Sequence, residues 1–389
     1  MQTQTLHENL IHASENGSLE DVERFLQKGA SIHYKDKNGR TALMAATQKN
    51  HVSIVQMLVE AGSDVNTRDI NQLTKFICAG ANGFHEVLSI MLKYGADLKS
   101  VNRFGGTALL PSSEKGYLKT VQVCLEAGVP VNHVNDLGWT ALLEAVILGN
   151  GGRLYSDVIQ ILVEAGADVN LPDRDGKSAL QHAKELNQTK VVNILNNDYK
   201  VRNEAIEKAL SFYKDDRYFE AITTIDYELE SDSENIDLYF YKGYFLQEAK
   251  MYEEALVQFE IAIAKDPSGL DFYFYTANCK RLLKRSEEAL AEYEKACELN
   301  PHATFYRYHK SNYLRELGRH EEAVNEMDKL LALQPHRYDF SFHKANSLRS
   351  LGRHDEALAA IENAIKHDPT NPLYQLHIVQ SLELLENNR

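Results

Sequence analysis

From His343 to Pro369 the chain reads HKANSLRSLGRHDEALAAIENAIKHDP, with apolar residues spaced as on an amphipathic helix. Thirty-four residues earlier, HKSNYLRELGRHEEAVNEMDKLLALQP runs from His309 to Pro335 in nearly the same letters. The pattern extends backwards. Ala221, Ala255, Ala289, Ala323 and Ala357 keep the 34-residue step, as do Pro267, Pro301, Pro335 and Pro369. Phe259, Tyr293, Met327 and Ile361 follow the last four alanines at a distance of four residues. A small residue lets two helices of a hairpin approach closely, and proline cannot continue a helix. The pattern predicts five helical hairpins, 202–235, 236–269, 270–303, 304–337 and 338–371, with Ser233 in the first proline slot. A capping helix is expected over 372–389. Each hairpin buries its apolar face only against a neighbouring copy, which is why the text repeats.

Upstream the period changes. NGRTALMAA at Asn38 recurs as NQLTKFICA, FGGTALLPS, LGWTALLEA and DGKSALQHA. Thr41, Thr74, Thr107 and Thr140 are 33 residues apart, and Ser178 fills the slot 38 further on. Gly62, Gly95, Gly128 and Gly166 repeat the same steps, so two independent markers share one phase. The unit read here is a turn followed by two short helices. Residues 6–35 lack the turn line but keep IHASENGSLEDVERFLQKGA, as expected of a terminal cap.

The 33-residue array resembles the ankyrin repeat over residues 6–198, and the 34-residue array resembles the tetratricopeptide repeat. The fold expected is all-α, a double α-solenoid: about six ankyrin repeats over 1–198 with first and last as caps, then five tetratricopeptide repeats over 202–371. The ankyrin line departs from its family: Ala replaces proline after the threonine, and Met44, Ile77, Leu110, Leu143 and Gln181 occupy the histidine slot. That weakens the polar network at the turn without threatening the stack. The join, NILNNDYKVRNEAI, has no Gly or Pro and predicts arrays that abut with limited hinge freedom.

Helical spacing puts Asp271, Phe274, Asn278 and Arg281 on one line, then Phe305, Tyr308, Asn312 and Arg315, then Asp339, Phe342, Asn346 and Arg349. The second repeat gives Asp237, Phe240, Tyr244 and Gln247. By resemblance this face lines the concave groove, so Asn278, Arg281, Tyr308, Asn312, Arg315, Phe342, Asn346 and Arg349 are the candidate peptide-binding residues. An Asn amide matches one peptide group as donor and acceptor, and Arg presents a planar fork to carboxylates. The competing reading is duplication alone, which also copies indifferent surface letters such as GRHEEA and GRHDEA. In the ankyrin half the resemblance points to turn tips, among them Lys37, Arg40, Leu73, Arg103, Phe104, Leu137, Trp139, Arg174 and Lys177. Trp139, the single tryptophan, either anchors a partner or packs on the next tip. GNGGRLYSDV carries five extra residues between two helices, an insertion similar to those of bacterial ankyrin proteins.

Composition narrows the function. The net charge of −14 argues against sequence-independent nucleic-acid binding. No apolar run reaches the ~20 residues of a membrane span, and MQTQTLHENL lacks signal-peptide features. Cys78, Cys124, Cys279 and Cys297 form no CxxC pair and read as reduced thiols in a cytoplasmic chain. HEVL at His85 and HEEA at His320 lack a second metal-binding histidine, and no phosphate loop or nucleophile elbow is present. The pairs His309/His343 and His320/His354 sit one repeat apart but want a third ligand. No catalytic residue, metal site or cofactor is expected. The function expected is a non-catalytic adaptor or regulator with protein or peptide partners. It would hold an extended acidic segment in the second array and another protein on the first. The alternative is a sensor gated by a small acidic molecule or signalling peptide.

Overall fold

The threonines of the 33-residue line are helix N-caps. The side-chain oxygens of Thr41, Thr74 and Thr140 accept from the backbone N–H of Met44, Ile77 and Leu143 at 3.2–3.3 Å, and Ser178 forms a capping box with Gln181. The computed structural model describes residues 2–70, 72–198, 203–335, 337–367 and 378. Its described part contains 22 helices and no strand, as the double solenoid requires. The chain divides into two compact units, Met1–Tyr199 and Lys200–Arg389.

The first unit stacks six helical pairs. They are α1 (Gln2–Asn16) with α2 (Leu19–Gln27), α3 (Ala42–Gln48) with α4 (Val52–Glu60), and α5 (Lys75–Asn82) with α6 (His85–Lys93). Next come α7 (Leu109–Glu114) with α8 (Leu118–Glu126), α9 (Ala141–Leu148) with α10 (Arg153–Glu164), and α11 (Ala179–Glu185) with α12 (Thr189–Leu195). An Asp or Asn five residues before each cap shapes the turn. Asp36, Asn102, Asn135 and Asp173 each accept two backbone N–H bonds, two and four residues on, at 2.8–3.0 Å. Asp69 accepts from Leu73 N at 2.9 Å in the same way.

One repeat breaks the cap rule. Pro111 stands where Ala45, Cys78, Glu144 and His182 donate their N–H to the cap carbonyl. Proline has no N–H to give. The Thr107 carbonyl takes a bond from Leu110 instead, and α7 starts only at Leu109. The buried Thr107 hydroxyl is left without a partner among the described residues.

The second unit holds five longer hairpins. They are α13 (Glu204–Lys214) with α14 (Tyr218–Ser231), α15 (Ile236–Glu248) with α16 (Tyr252–Lys265), α17 (Leu270–Leu282) with α18 (Ser286–Leu299), α19 (Thr304–Glu316) with α20 (His320–Leu333), and α21 (Tyr338–Ser350) with α22 (His354–His367). Each alanine of the 34-residue column is fully buried. The bend between helices puts Asp216, Lys250, Lys284, Gly318 and Gly352 in the left-handed region at φ 60–74°, a conformation glycine adopts without the Cβ clash. The capping helix expected over 372–389 lies outside the described residues except for Ile378. That residue is helical and packs against the buried cluster that includes Leu348, Ala357 and Ile361. The join at 199–202 also lies outside them.

Candidate functional site

The groove candidates fall on the first helices of the last three hairpins, and their chemistry differs along the array. In the second hairpin the matching positions are filled with rings. Phe240 is buried against Tyr275, Phe259 and Phe272, with centroids 5.2–6.1 Å apart. Tyr244 is buried, with its Oη 2.7 Å from that of Tyr213. Phe274 is likewise covered by Phe305 and His309, each 4.9 Å away.

Further along, the asparagine and arginine columns stay half-buried. Each asparagine carbonyl is already taken. Asn278 Oδ1 accepts from Tyr293 Oη at 3.0 Å, Asn312 Oδ1 from Arg315 at 3.2 Å, and Asn346 Oδ1 from Arg349 at 2.6 Å. The three Nδ2 groups have no partner among the described residues. The ladder therefore presents donors, not the matched donor–acceptor pair that asparagine alone suggests.

The arginines divide by partner. Arg281 is ion-paired with Glu316 at 3.1 Å. Arg315 makes no ion pair among the described residues; burial pulls its guanidinium below the ordinary value, against the opposing pull of Tyr308 and Glu316. It donates to Asn312 and to Nδ1 of His343. Arginine can only donate, so Nδ1 of His343 is unprotonated and Nε2–H faces Tyr308 Oη at 2.8 Å. Burial also lowers Arg349. Phe342 is half-buried beside the His343 ring, with centroids 5.1 Å apart. The His309/His343 pair ends in unlike surroundings. His309 packs on Phe274 and Phe305 while His343 bonds Tyr308. No group of three or more metal-ligating side chains occurs among the described residues.

The ankyrin candidates are partly engaged within the fold. Arg40 is gripped by Asp36 at 2.9 Å and Glu15 at 3.1 Å, and Lys177 by Glu185 at 2.8 Å. Arg103 lies over the Phe104 ring at 4.9 Å. Trp139 is half-buried, its N–H and carbonyl both held by Asn135. The insertion is mostly helix. α10 has 12 residues against 9 in α4, α6 and α8, and Gln188 Nε2 pins the bend by donating to the Val146 carbonyl at 2.9 Å. All four cysteines are buried free thiols, and burial pushes Cys124 up to about 12.

Two features were not read from the sequence. Lys75, in the slot after Thr74, is buried beneath the neighbouring turn and donates to the carbonyls of Asp64 (3.2 Å) and Thr67 (2.7 Å). Burial lowers its ammonium to about 8. The other feature corrects the dismissal of the GRHEEA letters. Arg285, Arg319 and Arg353 bind Glu253, Glu287 and Glu321 of the preceding hairpin at 2.5–2.9 Å. The 34-residue step of both columns was the available signal.

The ankyrin-repeat family model matches residues 10–102, 75–173 and 112–205, and a tetratricopeptide-repeat model matches 246–304 and 308–372. The chain belongs to the ankyrin-repeat family. Its second half is a tetratricopeptide-repeat array. Among solved structures it is similar to an ankyrin repeat domain from Acinetobacter baumannii AYE, with 45% identity over 49% of this chain and 96% of that one and a TM-score of 0.47. The ankyrin repeat protein EF0377 gives 34% identity over 50% and 98%, with a TM-score of 0.48. A chain from the complex of the Bd0816 predatory endopeptidase of Bdellovibrio bacteriovorus with immunity protein Bd3460 gives 26% identity over 49% and 98%, with a TM-score of 0.44. No curated protein matches. Ankyrin and tetratricopeptide repeats are scaffolds for protein–protein interaction, generally without catalysis of their own. No described helix is long and apolar enough to cross a membrane.

Proposed function

We propose that this chain is a non-catalytic adaptor whose tetratricopeptide groove holds an extended acidic segment, while the ankyrin surface around Arg103, Phe104 and Trp139 takes a second protein. The observation that carries the reading is Arg315. Three nearby arginines have a carboxylate: Arg307 pairs with Glu326 at 2.7 Å, Arg319 with Glu287 at 2.8 Å and Arg353 with Glu321 at 2.9 Å. Arg315 is more deeply covered than the two that pair at the outer surface, yet its hydrogen bonds go to an amide and a neutral imidazole, and Glu316, the carboxylate that acts on it, is already paired with Arg281. A charge taken out of water without a counter-charge is costly, and an acidic ligand group would supply one. The Nδ2 donors of Asn312 and Asn346 would then receive main-chain carbonyls of the same segment.

The test is paired capture from the source organism's lysate. One bait is the native chain; the other carries Asn312→Ala, Arg315→Glu and Arg349→Glu, with folding checked by circular dichroism. A partner with an acidic segment, held by the first and lost by the second, supports the groove. Identical captured sets sink it and move attention to Trp139 and the ankyrin tips.

A further inference from the structure

The outer faces of the hairpins in the second unit repeat a charged column, and the first hairpin departs from it. The position held by Glu253, Glu287 and Glu321 is Phe219 on α14, and the position of the arginines that grip those glutamates is Met251. The first junction therefore lacks the ion pair made at the next three. Two turns further along α14, Tyr227 stands where the next three repeats have Ile261, Lys295 and Lys329. Phe219 is 69% exposed, Tyr227 77% and Val257 on α16 51%. Phe219 and Tyr227 lie on one helical stripe about 12 Å apart. Nothing in the stacking of the array calls for rings here, since the next three repeats hold none at the equivalent positions: Glu253, Glu287 and Glu321 for Phe219, and Ile261, Lys295 and Lys329 for Tyr227.

The surroundings are acidic. Glu230 lies one turn beyond Tyr227, and Glu254 and Glu260 flank Val257 at helical spacing. None of these three carboxylates has a partner among the described residues. For Glu260 the reason is visible. Lys242, Lys310 and Lys344 tie back to Asp226, Glu294 and Asp328 of the preceding hairpin, but the lysine that would reach Glu260 is Thr276, which bonds the Phe272 carbonyl.

We propose that α14 and α16 form a docking surface for a basic amphipathic helix, its apolar side seated on Phe219, Tyr227 and Val257 and its lysines or arginines on Glu230, Glu254 and Glu260. Exposed aromatic anchors rimmed by uncompensated carboxylates fit such a partner in both shape and charge. This surface is separate from the groove and stands whether or not the groove binds an acidic segment.

The experiment measures the anisotropy of a labelled amphipathic helix built only of leucine and lysine, titrated with the full chain. The key variant is Phe219→Glu with Met251→Arg and Tyr227→Gln, which rebuilds the native ladder at the first junction and leaves net charge unchanged. Its affinity should fall on the order of tenfold or more, as removal of aromatic anchors does. Tyr227→Gln alone, at a side chain mostly in water, guards against misfolding and should lose part of the affinity. Unchanged affinity in both variants means that charge alone attracts the probe, and the proposal fails. Equal binding of a leucine–glutamate helix also overturns it. Self-association of the native chain that the triple variant abolishes would make a second copy the occupant instead.

Discussion

In the ankyrin unit the bonds run largely to backbone groups at the turns: threonine caps and Asp or Asn bends shape each turn, the Lys75 ammonium holds two carbonyls, and backbone bonds such as Ile70 N–H to the Asn38 carbonyl join one turn to the next. In the tetratricopeptide unit the ties pass between side chains, in two ladders of ion pairs and a core of stacked rings. Ties to the backbone fix the shape of a turn and leave the tip residues free to vary. Ties between side chains fix the step from hairpin to hairpin, so a single changed letter opens the ladder, as Phe219, Met251 and Thr276 do.

The contrast is sharpest in two buried glutamates. Glu326 on α20 is held by Arg307 (2.7 Å), Lys310 (3.0 Å) and Lys329 (2.9 Å). Burial would raise its carboxyl, but bonds from Lys329, Arg307 and Lys310 win and hold it below the usual carboxylate range. Its contribution is full above the unfolded value near 4.5 and is lost as pH falls through the folded value. Glu326→Gln leaves neighbouring cations uncompensated and should cost about 3–5 kcal/mol, read from urea unfolding at neutral pH. A loss under about 1 kcal/mol would mean that the rings alone set the packing.

Glu144 on α9 behaves in the opposite sense. Burial, reinforced by Glu114, raises its carboxyl well above the ordinary 4.5, against the bond that Asn135 donates at 2.8 Å. A raised acid binds its proton more tightly in the folded state, so stability declines as pH rises from the unfolded toward the folded value. Glu144→Gln should stabilise the ankyrin unit by about 1–3 kcal/mol at pH 8, and the gain should vanish near pH 4. Thermal melts across that range check it. A gain independent of pH would show that ionisation is not the cause.

A smaller comparison lies within the ankyrin unit. Thr74→Val removes a working cap and should cost about 1 kcal/mol, whereas Thr107→Val removes a hydroxyl without a partner among the described residues and should cost nothing or stabilise. Equal costs at the two sites would deny that Pro111 released the cap. The smallest effect is expected at the bend between α17 and α18. Lys284 sits at φ 61°, where Gly318 and Gly352 serve the later repeats, so Lys284→Gly should raise stability by about 0.5–1 kcal/mol. Chemical denaturation at matched ionic strength resolves a shift of that size.

Much of this could be read before any coordinates. A step of 33 or 34 letters sets helix, bend and helix because each repeat has the same local needs: a cap oxygen at Thr41 or Thr74, a small residue at Ala255 or Ala289, and a chain stop at Pro301 or Pro335. Those needs concern residues within a few positions of one another, so they are written in the linear text. The columns Asn278–Asn312–Asn346 and Arg281–Arg315–Arg349 were legible for the same reason. Tertiary structure decided what each member meets. Arg281 finds Glu316 while Arg315 finds His343, and Glu326 gathers cations from two helices while Glu144 gathers none. Identical letters in successive repeats part company because a charge is defined by what lies across the interface, and the facing residue comes from a different copy of the text.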